Sequence, residues 1–270
     1  MPALATELDV AMVDWSAIDT LVCDIDGVVV LGRDPIPGVG EALTEIEHSG
    51  IAVRFVTNNS TKTRATVAER IYQTVGFETT EASIITSGLA TAKFIADTAQ
   101  AVYVLGSEGL RTTLRQTGIA VTGDWRAADS VVVGLDFKLT FQALADAALA
   151  IQHGATFYAT NADVSYPTPY GLYPGAGSLV AAVAATTGVD PMVCGKPFQP
   201  MQRLLPDFVG RHAVMVGDRP ETDIALGKEM GWPTCLVLTG VVADANTVPS
   251  RYRADIVLES LAEMPTLLGL

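Results

Sequence analysis

The chain has 270 residues, of which 49% are apolar and 17% charged, a composition typical of a globular protein rather than a disordered one. Its length allows one large domain or two of moderate size. The formal charge of −13 argues against DNA, RNA or an anionic membrane as the main partner, because these surfaces are bound through Lys and Arg.

The N-terminal segment does not look like a targeting sequence. Residues 1–15 carry three acids and no Lys or Arg, unlike a secretory signal peptide. No apolar run along the chain approaches the ~20 residues that a membrane-spanning helix needs. We therefore expect a cytoplasmic protein.

Short apolar, β-branched segments alternate with amphipathic or alanine-rich segments along the chain. Strands are predicted at 20–23, 52–56, 101–105, 130–134 and 213–216, with a weaker strand at 234–238. Helices are predicted at 40–49, 62–75, 88–98, 141–153, 177–187, 200–205 and 222–231. Because strands that alternate with helices form βαβ units, the sequence predicts the α/β class with parallel sheets.

Polar side chains follow the first, second and fifth predicted strands, at the point where each strand ends. They are Asp24 and Asp26, then Thr57 and Asn58, then Asp218 and Asp223. In doubly wound sheets the reactive groups gather beyond the carboxyl ends of the strands, so we expect these side chains to share a cleft. The strands in the middle of the chain lack such groups and look like a second α/β unit inserted into the first.

Carboxylates at strand ends suit phosphoryl transfer, which needs a nucleophile, an acid for the leaving group and charge neutralisation. Asp24 can act as the nucleophile, because a carboxylate accepts phosphate and water then cleaves the acyl phosphate. Asp26 can protonate the departing ester oxygen and later activate the water. Thr57 and the backbone N–H of Asn58 can bind the equatorial oxygens, and Lys196 can hold both Asp24 and the phosphate.

Carboxylates that converge on one cleft repel one another unless a cation binds among them. Mg²⁺ prefers carboxylate or carbonyl oxygens together with waters and substrate phosphate, so we predict that it is the cofactor. Asp24 and Asp218 are the expected direct ligands, with the backbone carbonyl of Asp26 as a third. Asp223 is expected to act from a second layer or through a water.

Each of these signals has an ordinary structural alternative. An Asp-x-Asp-Gly or Gly-Asp sequence after a strand is often only a turn, and Thr-Asn-Asn is more often a loop or a helix N-cap. A single Lys is usually solvated. The catalytic interpretation is favoured because all four signals occur in order, each behind a strand or helix boundary.

The four motifs are those of a known superfamily. In order, the chain carries Asp24-x-Asp26-Gly27, Thr57, Lys196 and Gly217-Asp218 followed by Asp223. It thereby resembles the haloacid-dehalogenase-like (HAD) hydrolase superfamily, and the insertion between the second and third motifs resembles the large α/β cap of its NagD-like subclass of phosphatases. Further segments look like that subclass and extend the resemblance over almost the whole chain, namely residues 35–38, 57–60, 159–163 and 174–178.

The resemblance implies a Rossmann-like parallel-sheet core made from 1–86 and 190–270, with 87–189 as an inserted α/β cap domain. It implies a Mg²⁺-dependent phosphatase that hydrolyses a small organic phosphate monoester through a phospho-aspartate. Glycerol 3-phosphate, phosphoglycolate or a similar sugar phosphate is the expected substrate. Asp26 argues for phosphate esters over carbon–halogen bonds, since dehalogenating relatives lack that acid. The subclass also commonly pairs through its caps, which makes a homodimer an expected form.

Substrate selection is expected to come from the cap, because the core reads only phosphate. Asn161 and Asp163 are candidate substrate-binding residues, and Tyr166 and Tyr170 of the same polar stretch either face the leaving group or only pack in a loop. Arg219 either touches substrate or pairs with a surface acid.

Two other functions stay open. The chain can be a phosphotransferase that passes the phosphate from Asp24 to a second substrate. It can also be a receiver-like regulator in which phosphorylated Asp24 is itself the signal, although such a protein needs neither Asp26 as an acid nor a cap.

Overall fold

The computed structural model of the chain describes residues 13–168 and 170–270. The segment that lacks the features of a signal peptide lies mostly outside these ranges. Among the helices of the described residues, none is long and apolar enough to cross a membrane.

Strands and helices alternate along the chain, which confirms the α/β prediction. In chain order the strands are β1 Thr20–Cys23, β2 Val30–Leu31, β3 Asp34–Pro35, β4 Ala52–Thr57, β5 Ile84–Thr86, β6 Ala101–Leu105, β7 Ala120–Thr122, β8 Ser130–Val133, β9 Thr156–Ala159, β10 Ser165–Thr168, β11 Gly171–Pro174, β12 Met192–Val193, β13 Ala213–Gly217, β14 Thr234–Val237 and β15 Ile256–Leu258. The α-helices are α1 Val39–His48, α2 Arg64–Val75, α3 Ser87–Ile95, α4 Glu108–Gln116, α5 Phe141–Gln152, α6 Ala176–Thr187, α7 Gln199–Leu204, α8 Ala225–Glu229 and α9 Met264–Leu268.

The chain divides into two compact units. The first comprises the described residues up to Val56 together with Val67–Ile84 and Leu205–Leu270, and the second comprises Thr57–Thr66 and Ile85–Leu204. The segment Thr57–Thr66 thus groups with the second unit, whereas the sequence-based boundaries assign it to the core. The identification of 87–189 as a cap stays a prediction.

The first unit is built on a six-stranded sheet in the order β15-β14-β13-β1-β4-β5. β1 lies between β13 and β4 and runs parallel to both, and β14 runs parallel to β13 and β15. All four residues of β1 and all five of β13 are buried, as their continuous apolar runs predict for the middle of a parallel sheet. The central strands therefore end side by side at the carboxyl edge.

The second unit contains a five-stranded parallel sheet in the order β12-β9-β8-β6-β7 and a separate antiparallel hairpin of β10 and β11. The buried β8 has the sequence Ser-Val-Val-Val, and β-branched residues favour this position. Thr140 caps α5, because its side chain accepts a hydrogen bond from the backbone N–H of Ala143. The helix α6 ends at Gly188, whose φ of +71° is readily adopted only by glycine.

Several elements differ from the sequence-based expectations. The helix predicted at 222–231 is a π-type turn, Pro220–Ile224, followed by the short helix α8. The stretch around Tyr166 and Tyr170, expected to be a loop, forms the hairpin of β10 and β11 with Tyr166 opposite Tyr173. The prolines of this stretch are unfavourable in a central strand but are tolerated in a two-stranded ribbon, so the sequence did not indicate the hairpin.

Candidate active site

A cluster of three carboxylates lies at the carboxyl edge of the sheet in the first unit. Asp24 directly follows β1, and its backbone N–H donates to the carbonyl of Val216 in β13. Asp218 follows the end of β13, and Asp223 lies in the next turn. Asp24 is 7% exposed, Asp218 1% and Asp223 0%, and one carboxylate oxygen from each lies within 4.8 Å of the others.

Asp218 is held by the backbone around it. Its Oδ2 accepts a hydrogen bond of 2.8 Å from the N–H of Val241, in the loop after β14. The hydroxyl of Thr239 in the same loop donates to the carbonyl of Gly27, at 2.6 Å. A Cβ at Gly27 would lie 2.6 Å from Cγ of Asp218, and one at Gly240 would lie 2.5 Å from it. The carboxylate therefore fits only because two glycines leave room for it.

Asp223 is brought into the cluster by the π-type turn. Its Oδ2 accepts a hydrogen bond of 3.0 Å from the N–H of Arg219, while its own N–H donates to the carbonyl of Arg219 at 2.8 Å. A Cβ at Gly217 would overlap the Asp223 side chain. π-type turns are rare and concentrate at functional sites. Here the turn directs Asp223 toward the other two carboxylates, so that one of its oxygens lies within 4.8 Å of an oxygen from each of them.

The donor set of this cluster fits a hard divalent cation. It offers only carboxylate oxygens, which Mg²⁺ prefers to nitrogen or sulfur ligands. Bringing three carboxylates together in a buried place is costly, and a bound cation offsets that cost. The cluster therefore offers Mg²⁺ a site, and its three carboxylates are among the residues that the sequence predicts for the metal.

The carboxylate of Asp26 is not part of this cluster. Its side chain is 46% exposed, and its Oδ1 accepts a hydrogen bond of 3.1 Å from Nη2 of Arg70. The backbone after it turns sharply, with the N–H of Gly27 donating to the carbonyl of Val30 at 2.7 Å. The φ of +94° at Gly27 explains why glycine follows the acid.

The predicted residues of the second unit gather around Asn58. Its side-chain Nδ2 donates to Oδ2 of Asp163 at 3.2 Å and to the carbonyl of Lys196 at 3.3 Å. Its Oδ1 accepts a hydrogen bond of 2.8 Å from the N–H of Lys196. The amide thus fixes the main chain of Lys196, a role that was not anticipated from the sequence. Thr57, just before it, is 3% exposed, and its Oγ1 accepts from the N–H of Asn59 at 3.1 Å.

Asn161 and Asp163 belong to the same hydrogen-bond network. Nδ2 of Asn161 donates to the carbonyl of Asn58 at 2.7 Å, and its side-chain oxygen accepts from the N–H of Asp163 at 3.1 Å. Ser87 donates to the same Asn58 carbonyl, at 2.7 Å. These contacts join segments that are far apart in sequence, and they leave Asn161 only 5% exposed. They hold the Asn58 loop in one conformation.

Lys196 is buried, with 2% of its surface exposed. It sits between Gly195 and a cis peptide bond to Pro197. A Cβ at Gly195 would lie 2.5 Å from Oδ1 of Asn58, so the glycine permits the close approach of the two segments. A buried ammonium group is found where it serves an anion or a carboxylate, which distinguishes Lys196 from an ordinary solvated lysine.

The aromatic candidates are placed differently from one another. Tyr170, at the tip of the hairpin, is 88% exposed. Tyr166 packs edge-on against Tyr173, with ring centroids 6.1 Å apart. Tyr166 thus packs against a neighbouring side chain, which was one of the two alternatives given for it from the sequence.

Sequence reasoning missed two parts of the site. Arg70 of α2 contacts Asp26, but nothing in its local sequence distinguishes it from a surface arginine. The loop of Thr239, Gly240 and Val241, which surrounds Asp218, had a usable signal. Thr239 and Gly240 come shortly after the apolar strand β14, as Asp26 and Gly27 come shortly after β1.

Two family models match the sequence, one within the N-terminal half of the chain and one within the C-terminal half. Residues 21–120 match the family described as haloacid dehalogenase-like hydrolase, and residues 193–264 match the one described as HAD-hydrolase-like. The first match contains the segment of Asp24 and Thr57, and the second contains that of Lys196 and Asp218.

Named relatives are similar over nearly the whole chain. An acid sugar phosphatase of Staphylococcus aureus is 37% identical over 251 residues, which cover 89% of this chain and 96% of the relative. The crystal structure of a glycerol phosphate phosphatase from Mycobacterium tuberculosis in complex with magnesium is 34% identical, with a TM-score of 0.83 and coverage of 92% of this chain and 77% of that one. NagD from Escherichia coli is 31% identical, with a TM-score of 0.81 and coverage of 91% and 98%.

Proposed function

Since this chain belongs to the haloacid dehalogenase-like hydrolase family and is similar to its NagD-like phosphatases, we propose that it hydrolyses small sugar phosphates through a phosphoryl group carried on Asp24. The chain is a phosphoric monoester hydrolase. The proposal adds the nucleophile, the acid and the substrate class. Its main support is the buried cluster of Asp24, Asp218 and Asp223 at the carboxyl edge of a parallel sheet.

In the first step the carboxylate of Asp24 attacks phosphorus, and the bond between phosphorus and the ester oxygen breaks. Asp24 suits this role because it directly follows the central strand β1, whose pairing with two neighbours fixes its backbone. A nucleophile on a rigid strand end stays in line with the phosphorus, and such positioning is a large part of catalysis of phosphoryl transfer.

Asp26 supplies the proton that the departing ester oxygen needs. An alkoxide is a poor leaving group, and a positioned acid typically contributes about 10²- to 10⁴-fold in rate. In the second step the same carboxyl, now ionised, takes a proton from water as the water attacks phosphorus. Inorganic phosphate is released and Asp24 regains its carboxylate. The half-exposed side chain of Asp26 is consistent with a group that exchanges protons with solvent and substrate.

Mg²⁺ is the cofactor that the donor set fits, and Asp24, Asp218 and Asp223 would hold it. When bound, it neutralises negative charge on the carboxylates and on the phosphate oxygens. The cation would also reduce the electrostatic repulsion between an anionic phosphate ester and a chain with a net charge of −13. The backbone carbonyl of Asp26 stays a further predicted ligand.

The motif resemblance supports roles for the residues of the second unit. Thr57 and the N–H of Asn58 would bind phosphate oxygens, and Lys196 would contribute a positive charge. The network around the Asn58 side chain holds that loop and the Lys196 main chain in fixed conformations. Asn161 and Asp163 would then influence the substrate through the Asn58 loop. The cap at 87–189, the homodimer and the cytoplasmic location stay predictions.

The relatives guide the choice of substrates. Sugar phosphates and glycerol phosphate are the substrates named for the Staphylococcus and Mycobacterium proteins. The test is phosphate release from glycerol 3-phosphate, phosphoglycolate, several sugar phosphates and nitrophenyl phosphate, each with Mg²⁺ and with chelator. We expect metal-dependent release, with one ester ahead of the rest by about 100-fold in kcat/KM, which corresponds to about 2.7 kcal/mol.

Asp24→Asn is the decisive variant. It should abolish turnover without loss of the folded state, because the amide is nearly isosteric with the carboxylate but does not accept phosphate. Asp34→Asn is the matched control, since Asp34 lies exposed in β3 of the same unit. Retained activity of Asp24→Asn would remove Asp24 from the nucleophile role. Release of the alcohol in excess of phosphate would instead favour a phosphotransferase.

A further inference from the structure

Arg70 joins the predicted acid to a neighbouring hairpin. Its Nη2 donates to Oδ1 of Asp26 at 3.1 Å and to the carbonyl of Gly32 at 2.6 Å. Gly32 forms the turn between β2 and β3, which follow directly after the acid. A single guanidinium on α2 thus fixes both the Asp26 carboxylate and the tip of the hairpin next to it.

This contact differs from the local ion pairs of the chain. The pairs of Arg115 with Glu108 and of Arg126 with Asp124 link residues seven and two positions apart. Arg70 and Asp26 are 44 positions apart, and the arginine side chain is only 35% exposed. A contact that joins a helix to a loop after a different strand restricts the loop, whereas a pair within a single helix or turn does not.

The contact also selects one oxygen of the acid. Oδ1 of Asp26 is bound to Arg70, whereas Oδ2 makes no hydrogen bond among the residues that the structure describes. A carboxyl with one oxygen fixed has its second oxygen in a defined direction. A carboxylic acid donates through one oxygen, so this arrangement leaves Oδ2 to carry the transferable proton.

We propose that Arg70 is a positioning residue that orients the Asp26 carboxyl for proton transfer to the leaving group. The inference rests on the proposed function, because it requires Asp26 to act as the acid. Loss of Arg70 should slow the first step only where the leaving oxygen needs a proton, whereas any effect on the second step is the same for every ester. It should therefore affect alkyl phosphates much more than nitrophenyl phosphate, whose leaving group departs as a stable anion.

The experiment compares kcat/KM, which reports the first step alone, for glycerol 3-phosphate and nitrophenyl phosphate in the wild type, Arg70→Met and Arg70→Lys. Methionine keeps an apolar stem of similar length but has no donor. We expect Arg70→Met to lower kcat/KM for the alkyl ester by about 10- to 100-fold, a part of the effect of a general acid, and for nitrophenyl phosphate by less than about 3-fold. Arg70→Lys should recover part of the loss.

Arg33→Met is the matched control. Arg33 is exposed beside Gly32 and forms no hydrogen bond to Asp26, so this substitution removes the same charge and leaves the contact between Arg70 and Asp26 in place. An equal loss for both esters, or none, in Arg70→Met would overturn the positioning role while leaving the phosphatase in place. A selective loss in Arg33→Met would assign the effect to charge alone and would likewise overturn it. Should Arg70→Met fail to fold, Arg70→Lys must still show a smaller selective loss. A wild type inactive on both esters would overturn the proposed function and this inference with it.

Discussion

Gly240→Ala should weaken Mg²⁺ binding without altering any carboxylate. The backbone of Gly240 does not have a positive φ, so alanine is not excluded by its conformation. The new Cβ, however, would lie 2.5 Å from Cβ and from Cγ of Asp218, and closer still to Oδ2. Asp218 is 1% exposed and its Oδ2 is bound by the N–H of Val241, so it has little room to move. The carboxylate must shift away from Asp24 and Asp223.

The size of the effect follows from the contact. Overpacking of this kind costs about 1–3 kcal/mol in the absence of metal. Displacing a ligand through its surroundings lowers metal affinity by about 10- to 100-fold. At Mg²⁺ 100 times above the wild-type Kd, binding stabilises the wild type by about 2.7 kcal/mol, and a 100-fold weaker site would retain about 0.4 kcal/mol. In a chain of this size each kcal/mol corresponds to about 2–4 °C in Tm.

The assay is thermal unfolding with chelator and with increasing Mg²⁺. Wild type should gain about 5–10 °C at saturating metal, and Gly240→Ala should gain about 1–2 °C if the affinity falls 100-fold. Gly123→Ala is the control, because Gly123 also lacks a positive φ and a Cβ there meets nothing within 4 Å. A full Mg²⁺-induced shift in Gly240→Ala would refute the assignment of Asp218 as a metal ligand at this place.

Two further predictions concern ionisation. Burial raises the pKa of the Cys194 thiol to about 12, so native protein should resist alkylation at pH 8. The thiol of the unfolded chain ionises at a lower pH than the buried thiol of the folded chain. The free energy of unfolding should therefore fall as pH rises above about 8.5. For Asp19, burial raises the pKa, but hydrogen bonds from the hydroxyl of Thr20 and the N–H groups of His212 and Arg211 outweigh it and lower the pKa overall. Asp19→Ala should cost about 1 kcal/mol in urea unfolding at pH 7, and the difference should shrink below about pH 4; a pH-independent difference would contradict this account.

The grouping of the three carboxylates was predictable from the sequence for a simple physical reason. Central parallel strands are buried on both faces, so β1 and β13 appear as continuous apolar runs with clear ends. Whatever follows such a run lies at the carboxyl edge, and neighbouring strands bring those ends together. The predicted grouping of Asp24, Asp218 and Asp223 needed only the strand ends, although the approach of Asp223 to the other two depends on the π-type turn.

Edge strands carry no comparable signal. β7 and β12 have three and two residues and are partly exposed, so they show neither a continuous apolar run nor a regular alternation. The hairpin of β10 and β11 is likewise exposed along most of its length. Short, solvated strands are stabilised by their neighbours rather than by their own side chains, so their positions depend on the assembled sheet.

The sequence by itself therefore determined the α/β class and the order of the motifs, and it predicted that three carboxylates would lie close together, as they do. The tertiary structure decided which groups hold those residues in place. Arg70 meets Asp26 across 44 positions, and Asn58 meets Asp163 across 105. Local sequence pattern extends over one element, whereas such contacts depend on where the chain returns after several elements, and only the folded chain contains that information.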